Sequence, residues 1–349
     1  MPRPTVYVGS DKGFIHVYTL SDDDGTLTPC GDPVPVTPAP SFMALDRGAR
    51  FLYCIHETHE MDGRPTGAVS AFARDPTGGA LAFLNRVDTD SPGPCHVATE
   101  PAGRILLVSH YRGGSVSVLR LASDGSIERP ADVRFHGEEA KAHAATVDPT
   151  GRYAFVTDLG LDTVFRYTID SEGAKLSAQR EVVATMKQGA GPRHMAFHPS
   201  SSFAYVINEL DSTMSAFNYG ADDGTLDHIQ TLSTLPADFQ KESYCADVHV
   251  LPSGRFLFGS NRGHDSIVTF AIDPSDGSLT TVGHETCGGK WPRNFHVHSD
   301  GKLMLVANQH SDDVTAYRID EDTGHISATG AVAQVESPAY VGIVEPPSS

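Results

Sequence analysis

The sequence predicts an all-β protein that forms one seven-bladed β-propeller over residues 1–349, built from four-stranded blades. Three observations lead to this prediction. The chain repeats with a period of about 50 residues, in the range of propellers and solenoids. It carries an incomplete repeat at each end, and no segment sustains the 3.6-residue period of a helix. The 33 glycines and 23 prolines are spread evenly, as expected for many tight turns.

Six segments follow one plan: an apolar strand, a turn such as P-x-G-R, a second apolar strand, a polar loop, a third strand and a D-G-x-L type turn. They begin at Pro40, Gly93, Lys141, Gly191, Tyr244 and Trp291.

The terminal pieces predict how the ring closes. The N-terminal TVYVGSDKGFIHVYTLSDDDGTL supplies only the later strands of a unit, and the C-terminal SPAYVGIVE supplies only an opening strand. We therefore expect the N- and C-terminal strands to share the seventh blade, which removes the exposed edges of an open sheet. An open solenoid would need polar capping repeats, and neither end resembles one.

Composition and charge exclude several classes of protein. A net charge of −18 disfavours nucleic acid and anionic membranes as partners, because both would repel the chain. No stretch approaches the ~20 apolar residues of a membrane span, and the N-terminus lacks the basic-then-apolar layout of a secretory signal. The five cysteines form no C-x-x-C pair, as is typical of reduced thiols. We expect a cytoplasmic protein.

The stretch Gly191–Ser212 shows how one repeat builds a site. It is predicted to form two antiparallel strands joined by a Pro-Ser-Ser-Ser turn, with Arg193 beginning the first strand and Glu209 following the second. Because a hairpin folds back on itself, these two ends lie at one edge of the sheet. Arg193 and Glu209 should therefore point into one place, either as an ion pair or as parts of a site.

In a propeller the first strand of each blade lines the central channel, and the loops leaving the second strands gather at one mouth. Each repeat therefore delivers residues to one funnel from two positions. The strand openings contribute His96, His143, Arg193, His194 and Arg293. The exits of the second strands contribute His56, Glu57, His110, Tyr111, Asp158, Asn208, Glu209, Asn261, Arg262, Asn308 and Gln309. Any one of these could be a turn-former or a satisfied cap, but their convergence predicts a small-molecule site.

The chemistry available in this funnel is acid–base and electrostatic. Glu209 and His143 can transfer protons, and the arginines offer planar forks for carboxylate or phosphate. The sequence contains no nucleophile elbow and no Gly-rich phosphate loop. The HETHE run from His56 has the wrong spacing for a zinc-protease motif. His296 and His298 could ligate a metal, but a channel-lining strand explains them equally well. We expect neither a metal nor a cofactor.

The whole chain resembles the family of seven-bladed propeller lactonases, typified by bacterial 6-phosphogluconolactonases of the propeller type and related to fungal carboxy-muconate lactonising enzymes. The motifs that carry the resemblance are GPRHMAFHP at Gly191–Pro199 with YVINELDSTMSAF at Tyr205–Phe217, AHAATVDPTGRYAFVTDLGLDTV around His143, and PCHVATEPAGRILLVSHYRGGSVSVL from Pro94. Two places depart from the family pattern: CGGKWPRNF, and SHYRGG where relatives tend to have ANYGGG. Arg112 adds a cation at the rim there, which fits a different anionic group on the substrate.

The resemblance implies an enzyme that acts on a lactone ring without an obligatory metal, with His143, Arg193, Glu209 and Arg262 as the catalytic set. We predict hydrolysis of a sugar-acid lactone, 6-phosphogluconolactone or a related anionic aldonolactone, to the open-chain acid. Glu209 would be the general base, and Arg193 and His143 would stabilise the oxyanion or the leaving oxygen. The predicted substrate-binding residues are His96, Tyr111, Asp158, His194, Asn208, Asn261, Arg293, Asn308 and Gln309. The predicted grip on the anionic group comes from Arg262, Arg293 and Lys141 or Lys290.

Three other functions remain open at this point. The same cations could bind the carboxylates of a muconate, which a cycloisomerase would close to a muconolactone. A hydrolase of another lactone, including a metal-dependent one, would use a similar funnel. A non-enzymatic binding platform fits less well, because such platforms contact partners through outer loops. A guanidinium fork accepts phosphate, sulfonate and carboxylate alike, so the arginines fit any small anionic lactone.

Overall fold

Seven antiparallel sheets form the blades of a β-propeller, which confirms the predicted fold class. The computed structural model describes residues 3–61 and 63–346, and every regular element in these residues is a strand. The innermost strands contact one another in order around a central channel. The described residues form no helix of the length and apolarity that a membrane span requires.

The strands follow the chain blade by blade. The closing blade begins with β1 (Thr5–Ser10), β2 (Phe14–Leu20), β3 (Leu27–Pro29) and β4 (Val34–Pro35). Blade 1 contains β5 (Met43–Leu45), β6 (Phe51–His56), β7 (Ala68–Arg74) and β8 (Leu81–Asp88). Blade 2 contains β9 (Pro94–Thr99), β10 (Ile105–His110), β11 (Ser115–Leu121) and β12 (Ile127–Phe135). Blade 3 contains β13 (Ala142–Val147), β14 (Tyr153–Asp158), β15 (Thr163–Asp170), β16 (Lys175–Leu176) and β17 (Glu181–Thr185).

Three more blades complete the ring. Blade 4 contains β18 (Pro192–Phe197), β19 (Phe203–Asn208), β20 (Thr213–Gly220) and β21 (Thr225–Ser233). Blade 5 contains β22 (Tyr244–Val250), β23 (Phe256–Arg262), β24 (Ser266–Ile272) and β25 (Leu279–Thr286). Blade 6 contains β26 (Pro292–Val297), β27 (Leu303–Asn308), β28 (Asp313–Ile319) and β29 (Ile326–Gln334), and β30 (Pro338–Val344) returns to the closing blade. The outer strand is in two pieces in blade 3 (β16, β17) and in the closing blade (β3, β4).

The ring closes as predicted, with both ends of the chain in one blade. The strand order of the closing blade is β3-β2-β1-β30, and β30 pairs antiparallel with β1. Arg74 ties this blade to blade 1, because its Nε donates to the Tyr7 hydroxyl at 2.9 Å and its Nη2 to Thr5 Oγ1 at 3.3 Å. Apolar side chains of the two blades pack together as well, so the contact between the closing blade and blade 1 is both apolar and hydrogen-bonded.

The hydrophobic core is divided among the seven contacts between neighbouring blades. Each apolar cluster combines residues of two adjacent sheets, as where Leu107 and Val118 of blade 2 pack with Phe165 of blade 3. A fully buried side chain of this size contributes about 1.5–3 kcal/mol, so stability comes mainly from blades packing on blades. All five cysteines are free and four of them are buried.

Candidate active site

The inner strand of most blades carries a β-bulge near its start. In blade 4, Pro192 pairs with Asn208 and His194 pairs with Ile207, which leaves Arg193 as the extra residue. His143 and Arg293 occupy the same position in blades 3 and 6. A bulge bends the strand and re-aims a side chain. We call the channel end at which the inner strands begin and the second strands end the upper mouth.

A residue at the end of each second strand, or just after it, supplies the other half of the upper mouth. In blade 4, β19 ends at Asn208, and the backbone N–H of Glu209 donates to the Gly191 carbonyl at 2.7 Å. Successive side chains of a strand point to opposite faces, so Glu209 faces the mouth while Asn208 faces the interior of its blade. The corresponding residues of the other blades are Asp11, Glu57, Tyr111, Leu159, Arg262 and Gln309.

Glu209 lies between two arginines at the centre of this site. Its Oε2 is 3.0 Å from Arg193 Nε, and its Oε1 is 3.0 Å from Arg262 Nη2. The side chains of the two arginines are 4% and 6% exposed, against 18% for Glu209. The contact that the hairpin predicts between Arg193 and Glu209 is present, and the carboxylate is the most accessible member of the group.

Backbone carbonyls hold Arg262 in place. Its Nε donates to the Tyr244 carbonyl at 3.3 Å and its Nη2 to the Cys245 carbonyl at 2.8 Å. The guanidinium also lies 5.4 Å from the ring centre of Trp291, a favourable cation–π distance. These contacts fix the planar fork relative to Glu209.

A second ion pair lies beside the first. Arg293 Nη2 is 3.2 Å from Glu57 Oε2, and Gln309 Nε2 donates to a carboxylate oxygen of Asp11. Burial by itself lowers the pKa of Arg293, but the charges of Glu57 and Asp11 outweigh it and raise that pKa. Asp11 is a site residue that the sequence analysis missed. It follows the second strand of the closing blade, as Glu209 does in blade 4, so the repeat contained the signal.

His143 lies at the upper mouth with an unused nitrogen. Its ring centre is 5.2 Å from that of His194 and 6.0 Å from that of Tyr111. Its buried Nδ1 makes no hydrogen bond with residues 3–61 or 63–346. Lys141 Nζ stands 5.4 Å from the Tyr111 ring centre. An imidazole, a phenol ring and an ammonium group therefore share one side of the mouth.

The charges of the site follow from burial and from the neighbouring ions. Burial alone raises the pKa of Glu209, but Arg262 and Arg193 outweigh it and hold the pKa below its ordinary 4.5. Burial, then Arg262, lowers the pKa of Arg193 to about 10, so the guanidinium stays protonated. Burial and then Arg193 hold the pKa of His143 well below 6.5. Near neutral pH the site contains a carboxylate, charged arginines and a neutral imidazole.

Four predicted binding residues do not line the upper mouth: Asp158, Asn208, Asn261 and Asn308. Each is at most 1% exposed and points into its own blade. Asp158 accepts from the Lys141 backbone N–H at 2.8 Å and contacts His136 Nδ1 at 2.7 Å. The three asparagines donate to serine or threonine hydroxyls of the following strand. Because side chains alternate along a strand, the residue after each of these faces the mouth, and the four residues support its loops.

His96 and His194, also predicted to bind substrate, lie deeper in the channel than the bulged residues. A cavity of about 360 Å³ extends from them toward the other end of the channel and is lined by all seven inner strands. His194 Nδ1 is 2.8 Å from Asp247 Oδ1, and Asp247 is 4% exposed. Nothing in the run YCADVHV distinguishes this buried carboxylate, so it is not among the residues predicted from the sequence. We call this half of the channel the lower channel.

Trp291 has a strained backbone. Its φ is 65°, and it stands immediately before an inner-strand proline, where Gly93 and Gly191 both have φ of 66°. A bulky residue is rarely found in this region, and such strain costs of order 1–3 kcal/mol. The ring lies under Arg262 and stacks on His310 at 4.7 Å. The CGGKWPRNF motif, which departs from the family pattern, therefore places a strained aromatic residue at the mouth.

The arrangement suits electrostatic catalysis combined with proton transfer. Preorganised cations stabilise an oxyanion, and the carboxylate can accept a proton from water. In the described part of the chain no three His, Cys, Asp or Glu side chains are placed to hold a metal. His56 of the HETHE run is instead bonded to the Pro38 carbonyl and the Ser70 hydroxyl, each at 2.8 Å.

Comparison with known proteins identifies relatives of the same fold and size. Residues 5–343 match the model of the family described as lactonase, 7-bladed beta-propeller. The chain is 34% identical over 264 residues to the 6-phosphogluconolactonase of Bacillus subtilis, covering 73% of each chain. It is 35% identical to that of an Enterobacter species over 84% of this chain and 85% of the relative. The solved structure of the periplasmic gluconolactonase of Pseudomonas aeruginosa is 31% identical, with a TM-score of 0.90 and 99% of each chain covered.

Proposed function

The chain belongs to the lactonase family of seven-bladed β-propellers, and we propose that it hydrolyses a sugar-acid lactone to the open-chain acid. The substrate in this proposal is 6-phosphogluconolactone or a related aldonolactone. The observation that supports it most is the position of Glu209 between Arg193 and Arg262 at the upper mouth. This places a proton acceptor beside preorganised positive charge, which is what attack of water on an ester carbonyl requires.

In the proposed reaction, water attacks the carbonyl carbon of the lactone while Glu209 takes one of its protons. Negative charge develops on the carbonyl oxygen, where Arg193 and the N–H of His143 donate hydrogen bonds, each worth roughly 3–4 kcal/mol when well placed. The bond between the carbonyl carbon and the ring oxygen then breaks. The ring oxygen receives the proton from Glu209 and becomes a hydroxyl group, and the new carboxylic acid releases its proton to water.

The charges of the groups decide how these roles are divided. A carboxylate held by two guanidinium groups is a weak base, so proton removal accompanies the attack of water and does not precede it. A neutral imidazole is a poor acid, and the low pKa of His143, caused by burial and then by Arg193, keeps it neutral. We therefore assign His143 to the oxyanion and assign Glu209 to the protonation of the leaving oxygen.

Lys141 is a cation available to an anionic substituent. Arg193 and Arg262 share Glu209, and Arg293 is paired with Glu57. Lys141 is exposed at the rim beside Tyr111, and it forms no ion pair within residues 3–61 and 63–346. A phosphate on the far end of the substrate would find an unmatched charge there, while the lactone ring reaches Glu209.

The test is a hydrolysis assay on gluconolactone with and without a 6-phosphate, using the wild type and Glu209→Gln. The amide keeps the shape of the carboxylate and removes the base, so we expect kcat to fall about 10²–10⁴-fold. Glu242→Gln removes the same charge from an exposed position and should leave kcat unchanged.

Three outcomes would contradict the proposal. Near-normal turnover by Glu209→Gln would remove Glu209 from the role of base. Turnover of a carboxylated muconate by the wild type, with neither lactone hydrolysed, would identify a cycloisomerase. Loss of hydrolysis with EDTA, restored by a divalent metal, would identify the metal-dependent alternative.

A further inference from the structure

Arg193 is oriented by groups that lie below the upper mouth. Its Nε is close to Glu209, but the N–H does not point at the carboxylate well enough to form a hydrogen bond. Its Nη1 instead donates to the Ala246 carbonyl and to His194 Nε2, the latter at 3.2 Å. The Ala246 carbonyl and the His194 imidazole therefore set the orientation of the guanidinium. Glu209 attracts the guanidinium electrostatically but does not orient it through a hydrogen bond to Nε.

The hydrogen bonds fix the tautomer of His194. A guanidinium can only donate, so Nε2 of His194 must be the accepting nitrogen. The ring proton is therefore on Nδ1, which donates to Asp247 Oδ1 at 2.8 Å. Loss of the carboxylate would allow the other tautomer, whose Nε2–H would oppose the N–H of Arg193.

Asp247 is itself held by two blades. Its Oδ1 also accepts from the Val248 backbone N–H at 2.9 Å. Its Oδ2 accepts from His249 Nε2 at 3.1 Å, from the Asn294 side-chain amide and from the Phe295 backbone N–H at 3.4 Å. An ionised carboxylate is costly to bury unless its oxygens are satisfied, and here five donors surround it.

The hydrogen bonds that join Asp247, His194 and Arg193 form a continuous buried array that leads to the active site. It begins at Asp247 in the lower channel and passes through His194 to Arg193 in the upper mouth. The Ala246 carbonyl that binds Arg193 belongs to the residue just before Asp247, within the bulge of β22. Both restraints on the guanidinium therefore originate at Ala246 and Asp247. A cross-link that only stabilised the channel would not need to end on the guanidinium beside Glu209.

We propose that Asp247 and His194 are positioning residues that hold Arg193 in the orientation required for hydrolysis. This inference rests on the proposed function of Arg193 as an oxyanion donor. Neither residue touches the substrate in this scheme, because both lie below Arg193. Misplacing a catalytic group by about 1 Å can cost roughly 100-fold in rate, so the effect should be large.

The test compares His194→Gln with His194→Leu. The glutamine amide oxygen can accept from Arg193 in place of Nε2, whereas leucine fills the space without an acceptor. We expect kcat of His194→Leu to fall roughly 10- to 100-fold with KM within about 3-fold of the wild type, and His194→Gln to recover most of the loss. His296→Leu removes another channel-lining histidine that has no contact with Arg193, and should leave kcat unchanged.

Crystal structures of the two variants measure positioning without relying on activity. The Arg193 guanidinium should leave the Ala246 carbonyl in His194→Leu and keep it in His194→Gln. An unmoved guanidinium in His194→Leu, wild-type kcat in that variant, or equal losses in both variants would overturn the inference. If the wild type hydrolyses neither lactone, the proposed function fails, and the crystal structures still decide whether His194 positions Arg193.

Asp247→Ala provides a second variant. The methyl group of alanine accepts no hydrogen bond, so His194 Nδ1 loses its acceptor and the tautomer of His194 is no longer fixed. We expect the same loss of kcat as in His194→Leu, together with a lower melting temperature. A melting temperature that falls while kcat stays at the wild-type value would show a structural role only and would overturn the inference.

Discussion

Glu209 keeps its charge at acid pH, and this determines the pH dependence expected of the reaction. Its pKa lies below 4.5 because Arg262 and Arg193 outweigh the effect of burial. A depressed pKa keeps the base ionised until the pH falls through that value. His143 adds no ionisation near neutrality, since burial and Arg193 hold its pKa well below 6.5.

We therefore predict that kcat/KM is constant between about pH 7 and 5.5 and declines only near or below pH 4.5. The measurement should use the unphosphorylated lactone, because a phosphate ester itself titrates near pH 6. Glu209→Gln should lose the acid decline along with most of its activity. An inflection between pH 6 and 7 in the wild type would mean that a histidine of ordinary pKa is the base.

Trp291 allows backbone strain to be separated from side-chain function. Trp291→Gly and Trp291→Ala both remove the ring under Arg262, but only glycine adopts φ of 65° without strain. We predict that the free energy of unfolding of Trp291→Gly exceeds that of Trp291→Ala by about 1 kcal/mol. Urea denaturation measures this difference.

Activity should not distinguish these two variants. The cation–π contact with Arg262 is worth about 0.5–1 kcal/mol, so kcat/KM should fall roughly 2- to 5-fold in both. A larger loss in one variant than in the other would show that the backbone at position 291, and not the ring, controls the site.

At the scale of a single element, the turn between the first and second strands shows why the repeat is read so easily from sequence. Asp148 begins the DPTGR turn of blade 3 and accepts from the Tyr153 backbone N–H at 2.7 Å and the Thr150 backbone N–H at 3.0 Å. Gly151 adopts a φ of 74°, which glycine tolerates. The carboxylate also accepts from the Tyr219 hydroxyl of blade 4 at 2.9 Å. One side chain therefore closes a hairpin and joins it to the next blade.

We predict that Asp148→Ala lowers the free energy of unfolding by about 2–4 kcal/mol, since several hydrogen bonds to a charged group are lost. The midpoint of urea denaturation should fall accordingly. Asp227→Ala, an exposed position on β21, should change the free energy by no more than about 0.5 kcal/mol. Equal shifts in the two variants would contradict the capping role of Asp148.

At the scale of the whole molecule, stability depends on closing the ring. The inner strand β30 inserts Val341 and Ile343 into the contact with blade 6, and Tyr340 and Val344 into the contact with blade 1. The Val341 N–H also donates to the Asn294 side-chain oxygen at 2.8 Å. Without β30, two interfaces between blades would lose apolar contacts and β1 would expose an unpaired edge.

A chain that ends at Ser337 should therefore fail to fold. The four buried side chains together contribute about 6–12 kcal/mol, which is comparable with the whole stability of a typical domain. Circular dichroism and size-exclusion chromatography should show an unfolded or aggregated product. A chain that ends at Pro346 keeps β30 and should behave as the wild type. A monomer with a cooperative thermal transition after removal of β30 would contradict this prediction.

Contacts within one hairpin were accessible from the sequence. Arg193 and Glu209 belong to consecutive strands of blade 4, so their meeting follows from local chain reversal. The ring closure was equally accessible, because the two partial repeats add up to one blade. Choosing between adjacent residues was harder. Asn208 and Glu209 are neighbours in the chain, and only the observed strand end shows which of the two faces the mouth.

Contacts between blades required the assembled ring. Arg262 contacts Glu209, and Arg293 contacts Glu57. Asp247 contacts His194 of the neighbouring blade. The distances in these three pairs depend on how far each inner strand lies from the channel axis. That spacing is set by the packing of apolar side chains between all seven blades, which no single repeat encodes. The amino-acid pattern therefore specifies the propeller, its closure and the pairing of Arg193 with Glu209, because each depends on order along the chain. The second arginine on Glu209, the neutral His143 and the buried array behind Arg193 exist only once seven separate sheets converge on one axis.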